Sequence, residues 1–142
     1  MIILDTDIVS LVQRRATPVR ELLLARIDHE LSLQPVVTTV ITFEEQLRGW
    51  LKLLSETRTV GKEIAVYARL NQLLDDYRKL QTLDFDDAAA VEFQRLRKMK
   101  MRMCTMDLKI GACAISQGAI LWSRNLVDFS RIPGLNVVNP LA

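Results

Sequence analysis

Three carboxylates stand where an apolar stretch meets a polar one. Asp5 directly follows Ile2-Ile3-Leu4, Glu45 follows the β-branched run from Val36 to Ile41, and Asp107 opens the helical pattern ahead of Ala119-Ile120-Leu121-Trp122. Carboxylates gathered at one point repel one another unless a cation lies between them. Hard divalent cations take oxygen ligands, and Mg²⁺ combines a few carboxylates with water and substrate phosphate. The sequence has one histidine, His29, and two cysteines, Cys104 and Cys113. Zinc and other soft-ligand sites are therefore poorly supplied, and an all-carboxylate Mg²⁺ or Mn²⁺ site is the chemistry that these residues favour.

The elements that would position them follow from periodicity. Residues 2–4 read as a buried strand running into a helix at Asp5-Thr6-Asp7. Residues 18–33 begin with Pro18 and carry Leu22, Leu23, Ile27 and Leu31 at helical spacing. Residues 36–41 are β-branched and read as a second strand. Thr42 then opens a helix with Phe43, Leu47, Leu51 and Leu54 as its apolar stripe, and Thr42-Phe43-Glu44-Glu45 has the form of a capping box. A further helix over about 60–80 is expected to bury Ile64, Tyr67, Leu70 and Leu74. Asp86-Asp87 caps a helix to about residue 99, and Thr105-Met106-Asp107 opens one that ends at Gly118. Residues 119–122 and 136–138 read as strands, with Ser123–Phe129 as a loop. Strands alternating with helices predict an α/β domain of three layers, α/β/α, whose central, mainly parallel sheet has four to five short strands. In such sheets ligands bind in the crevice at the carboxyl ends of the strands.

Composition bounds the rest. With 142 residues, 49% of them apolar, the chain suits a single domain over 1–142 with a substantial core. Nineteen basic and seventeen acidic residues leave a net charge of +2, so a polyanion must be met by local patches. No apolar run approaches the ~18 residues of a membrane span, and the start is unlike a signal peptide, so a cytoplasmic protein without membrane contact is expected. Each acidic residue also has a plainer reading: Glu45 closes the capping box, and Asp7 and Asp107 complement helix dipoles. Trp50 and Trp122 read as packing anchors rather than base-stacking platforms, and Cys113 as a small buried apolar residue.

Four segments taken together resemble the PIN-domain ribonucleases of the VapC toxin type: IILDTDIVSL, TTVITFEEQLRGWL, RMCTMDLKIGACAI and ILWSRNLVDFSRIPGLNV. By that resemblance Asp5 matches the first acidic ligand. Glu45 matches the glutamate four residues before a glycine, here Gly49, and Asp107 the aspartate before Ile110-Gly111-Ala112. The fourth element departs from the family's T-x-D/N form. Ser123-Arg124-Asn125 puts an amide where many members have a carboxylate, and Asp128 stands three residues on. The resemblance implies an endoribonuclease dependent on Mg²⁺ or Mn²⁺ and silenced by a cognate antitoxin, with a homodimer or higher assembly expected. Asp5, Glu45 and Asp107 would hold the ion, Asn125 or Asp128 would bind a second ion or its waters, and Ser123 would orient substrate or water. Thr6 would contact the substrate. The RNA backbone would be met by Arg14, Arg15, Arg48, Arg124 or the basic run 95–102, which reads equally as the solvated end of a helix.

Two other readings are open. Asp5-Thr6-Asp7-Ile8-Val9 also satisfies the opening of haloacid-dehalogenase-type phosphatases, but the late acidic pair of that family has no counterpart after Trp122. A PIN-like scaffold that binds RNA with weakened catalysis is the other, motivated by Asn125.

Overall fold

A computed structural model describes residues 1–142. Five strands, β1 (Ile2–Leu4), β2 (Val36–Thr39), β3 (Thr82–Leu83), β4 (Ile120–Trp122) and β5 (Asn136–Val138), form one sheet of order β3-β2-β1-β4-β5. Every pairing is parallel, with Ile3 facing Val37 on one side and Leu121 on the other. Seven helices connect and cover it: α1 (Thr6–Gln13), α2 (Pro18–Leu31), α3 (Val40–Glu56), α4 (Val60–Lys79), α5 (Asp87–Arg97), α6 (Thr105–Gln117) and α7 (Leu126–Phe129). None is long and apolar enough to cross a membrane.

Alternation along β1 divides the core. Ile2 and Leu4 pack with Ile8, Val9 and Leu11 of α1, Leu23 of α2 and Trp122. Ile3 points the other way, into a larger cluster with Val37, Ile41, Phe93 and Leu96, the buried face of α6, and Phe129. Successive strand residues point to opposite faces, so each face receives its own helical layer. The architecture is the expected three-layer α/β/α.

The local signals for several elements are direct. Asp86 caps α5 by accepting from the Ala89 amide at 2.9 Å, and α6 stops at Gly118, whose φ of +59° suits a residue without Cβ.

Four expectations are corrected. The second strand ends at Thr39 rather than at 41, and the cap of α3 is Thr39, whose hydroxyl accepts from the Thr42 amide at 3.2 Å. Thr42 therefore lies inside the helix, and Glu45 closes no capping box. The expected stripe of α4 faces outward: Ile64, Tyr67 and Leu74 are exposed, while Val66 and Leu73 are buried. Leu22 and Leu31 of α2 and Leu51 of α3 are likewise exposed, because each helix packs along a narrower line than its apolar residues suggested. Finally, residues 126–129 form the short helix α7 instead of continuing a loop, with Asn125 as its cap.

Candidate metal and nucleic-acid site

Parallel pairing of β1 with β2 and β4 brings three strand ends to one edge. A cavity there is lined by Asp5, Thr6, Asp7, Ser10 and Arg14 from the first strand–helix unit, Glu45 of α3, Asp107 of α6, and Arg124 and Asn125 after β4. No lining residue is apolar.

Asp5 is the most buried of its carboxylates. It caps α1, taking the Thr6 amide on Oδ1 at 2.8 Å, and the Ser123 hydroxyl donates to Oδ2 at 2.7 Å. Burial pushes its carboxyl up to about 7; the Ser123 bond opposes this, and the neighbouring charge of Asp7 adds to it. Glu45 is half-buried one turn into α3 from Thr42, and the Thr6 hydroxyl donates to its Oε1 at 3.0 Å. Desolvation raises it above the ordinary glutamate range, and the charge of Asp107 adds to that. Asp107, in the first turn of α6, is raised by desolvation and then by the charges of Asp128 and Asp7. Each of the three thus feels at least one other carboxylate.

Asp7 is the member that sequence reasoning missed. Its Oδ2 accepts from the Arg124 amide at 3.0 Å, with the guanidinium 3.5 Å away, and its Oδ1 is buried without a partner. The D-x-D spacing was visible, but an acid in the first turn of a helix reads as a dipole partner until the tertiary structure aims it inward.

Other expected residues separate into those the fold brings in and those it does not. Arg14 and Arg124 line the cavity, and Thr6 sits in its wall as a support for Glu45. Ser123 is fully buried, its oxygen shared between Asp5 and the Asn125 amide, so it positions Asp5 and has no free face for substrate. Asn125 reaches the rim, but its amide donates to Asp128 Oδ2 at 3.1 Å and accepts from the Asp128 amide. Asp128 does not line the cavity; it lies 3.7 Å from the Arg131 guanidinium and acts on Asp107 through its charge. Arg48 is not in the site; it projects to solvent and pairs with Glu44 at 2.7 Å, one turn away. The run 95–102 forms the solvated end of α5 and the turn after it, with Arg95 paired to Glu92.

The donor set fits a hard cation. It is all oxygen, its carboxylates repel one another, and one buried carboxylate oxygen has no partner. No three His, Cys, Asp or Glu side chains are gathered closely enough to ligate one ion together as they stand. An ion here would take direct bonds from at most two of these carboxylates and keep several waters, a coordination that Mg²⁺ tolerates.

No family model and no curated protein matches the sequence. Solved structures do match over essentially the whole chain. A chain of VapBC2 from Rickettsia felis, solved bound to a promoter DNA fragment, is 22% identical with a TM-score of 0.74, covering 98% of each chain. A chain of FitAcB from Neisseria gonorrhoeae is 24% identical with a TM-score of 0.67, covering 99% of this chain and 98% of its own. VapC20 of Mycobacterium tuberculosis, described as a sarcin–ricin loop cleaving toxin, is 14% identical with a TM-score of 0.51, covering 96% and 99%. Such likeness, at these identities, establishes the fold. The chain has the three-layer PIN-like α/β/α architecture seen in toxin–antitoxin structures of the VapBC type.

Proposed function

We propose that the protein is a metal-dependent endoribonuclease and the toxin of a toxin–antitoxin pair. The observation that carries this reading is the convergence of Asp5, Asp7, Glu45 and Asp107 on one polar cavity at the carboxyl edge of the sheet, the first two from the β1–α1 junction, Glu45 from α3 and Asp107 from the first turn of α6. VapBC and FitAB neighbours support a nuclease toxin with a cognate antitoxin, and the homodimer expected from the family resemblance is carried with it.

Among Asp5, Glu45, Asp107 and Asp7, one or two carboxylates would bond Mg²⁺ or Mn²⁺ directly and the others would hold its waters. When bound, such an ion makes water nucleophilic near neutral pH and offsets charge on the phosphodiester. The chain's own residues do the rest. Ser123 and the Thr6 amide fix the Asp5 carboxylate, and the Thr6 hydroxyl fixes Glu45. Arg14 and Arg124 flank the acids and meet the RNA backbone. No histidine lines the site, so acid–base work falls to carboxylates and water.

The phosphatase reading loses ground here. Such phosphatases also need a lysine at the site, and no lysine lines the cavity. The weakened-scaffold reading draws on Asn125, whose amide is committed to α7. The deciding experiment is cleavage of a mixed RNA pool by rigorously metal-stripped protein, with and without added Mg²⁺ or Mn²⁺. Cleavage that appears only with the ion supports the enzyme, and full activity without metal overturns it.

A further inference from the structure

A second cavity of about 900 Å³ opens beside the carboxylates and shares Thr6, Ser10, Arg14 and Glu45 with their site. Its character is opposite. Glu45 is its only acid, whereas Arg14, Arg15 and Arg69 line it, and only Trp50 and Leu53 among twelve lining residues are apolar. Three helix faces build it. Its floor is a fixed polar network in which Tyr77 donates to Gln46 Oε1 at 2.7 Å and Gln46 donates to Gln13 at 2.7 Å and to Ser10 at 3.2 Å. On its wall the Arg69 guanidinium lies 5.9 Å from the centroid of the Trp50 ring. Trp50 was expected to anchor packing, and instead it presents its ring to this groove.

Resting on the ribonuclease reading, we propose that this cavity seats an unpaired nucleotide of the RNA next to the scissile phosphate. Its base stacks on Trp50, and its backbone is held by Arg14, Arg15 and Arg69. Trp50 follows Glu45 by five residues on α3, about 7.5 Å along the axis and about 140° around it, and the cavity spans both positions. A chain with one phosphate at the carboxylates therefore carries a neighbouring nucleotide past the indole. Only a splayed base reaches the ring, because a base inside a duplex is already stacked on its neighbours. Aromatic stacking with flanking arginines accepts any base, since every base has a π-face, so the cavity selects single-stranded segments over duplex.

The test is tryptophan fluorescence of the full chain in EDTA, titrated with octamers of oligo(A) and oligo(U) RNA, which removes cleavage from the readout. The only other tryptophan, Trp122, is buried in the core. Saturable quenching by both octamers is expected, and Trp50→Phe should lose the quench while still binding RNA. Trp50→Ala should bind roughly 10-fold more weakly. Arg69→Ala should weaken binding and lower the slope of log affinity against log salt by about 1. Gly49→Leu gives a variant that folds, because a Cβ at Gly49 meets nothing within 4 Å and leucine favours a helix; its side chain obstructs the groove and should weaken binding. In the cleavage assay Trp50→Ala should raise KM and leave kcat nearly unchanged. RNA that binds without changing Trp50 emission, or Trp50→Ala binding as tightly as the parent, would overturn the proposal. So would quenching by polyglutamate as strong as by RNA, which would assign the groove to an acidic peptide. Absence of cleavage alongside intact quenching would instead refute the ribonuclease reading and leave the groove assignment standing.

Discussion

Withdrawing metal should make the stability of this protein fall as pH rises, the reverse of a protein whose carboxylates are well paired. Asp5 ionises near 3.8 in an unfolded chain, whereas burial in the folded one lifts it to about 7. Below pH 3.8 both states hold the proton. Between 3.8 and about 7 the folded state keeps a proton that the unfolded state releases, so stability declines with rising pH. Above about 7 the loss is complete. At about 1.4 kcal/mol per tenfold change in the ionisation constant, the whole shift corresponds to roughly 4 kcal/mol, of which about 3 kcal/mol falls above pH 5. For a chain of this size that lowers the midpoint of thermal unfolding on the order of 10 °C. Glu45 and Asp107 are raised as well and act in the same direction. The assay is a series of thermal melts of metal-stripped protein from pH 5 to pH 8, with and without millimolar Mg²⁺. Apo protein should melt lower at pH 8 than at pH 5, and Mg²⁺ should recover most of the difference at pH 8 and little at pH 5, where protons compete for the same oxygens. Asp5→Asn should flatten the profile. An apo midpoint that stays level or rises from pH 5 to pH 8 would refute the picture of carboxylates kept protonated by burial.

Glu45→Gln should lower cleavage at least about 100-fold with no loss of stability, because it removes a charge from a crowded site. Glu44→Gln should keep most activity, since it loses only an exposed pair with Arg48 worth under about 0.5 kcal/mol; the opposite outcome in a cleavage assay would reverse the orientation assigned to α3. Ser123→Ala should destabilise by about 2 kcal/mol in urea melts, because the buried Asp5 oxygen and the Asn125 amide both lose their partner. Gly111→Ala should cost about 1 kcal/mol, since its Cβ would lie 2.8 Å from Ile132 Cδ1 and a buried side chain must give way.

The parts of the site that were legible in the sequence are those set by local chemistry. Asp5 abuts a three-residue apolar strand, and a carboxylate there can only cap the next helix or face the crevice; it does both. Asp107 in a first turn and Gly118 at a helix end are similarly local. What the sequence left undecided depends on distant partners. The run from Val36 to Ile41 is β-branched throughout, so propensity does not say where the strand stops. It stops because the Thr38 hydroxyl donates to the Leu4 carbonyl at 2.9 Å and Thr39 turns to cap α3. On α4 apolar residues occupy more than one face, and only the packing partner decides that Val66 and Leu73 go inside. Arg48 looked like a phosphate contact because it is basic and near Glu45, yet at helical spacing it belongs to Glu44. Trp50 looked like core for want of any sign that its face of α3 borders a groove.

The order of the sheet has a consequence for timing. β1 precedes the other four strands along the chain and occupies the middle of the sheet, yet one of its two neighbours is β4. The bond that fixes Asp5 comes from Ser123, 118 residues later. A growing chain therefore carries its acidic residues long before it can align them, and closing so long a loop is slow relative to forming helices. Throughout the interval from β1 to β4 the polypeptide holds the components of the cavity without the cavity. If the proposed ribonuclease activity holds, the ribosome building the chain would be exposed to an assembled site only once nearly the whole fold had emerged. Any partner that binds the earlier helices would have the span of translation in which to arrive first.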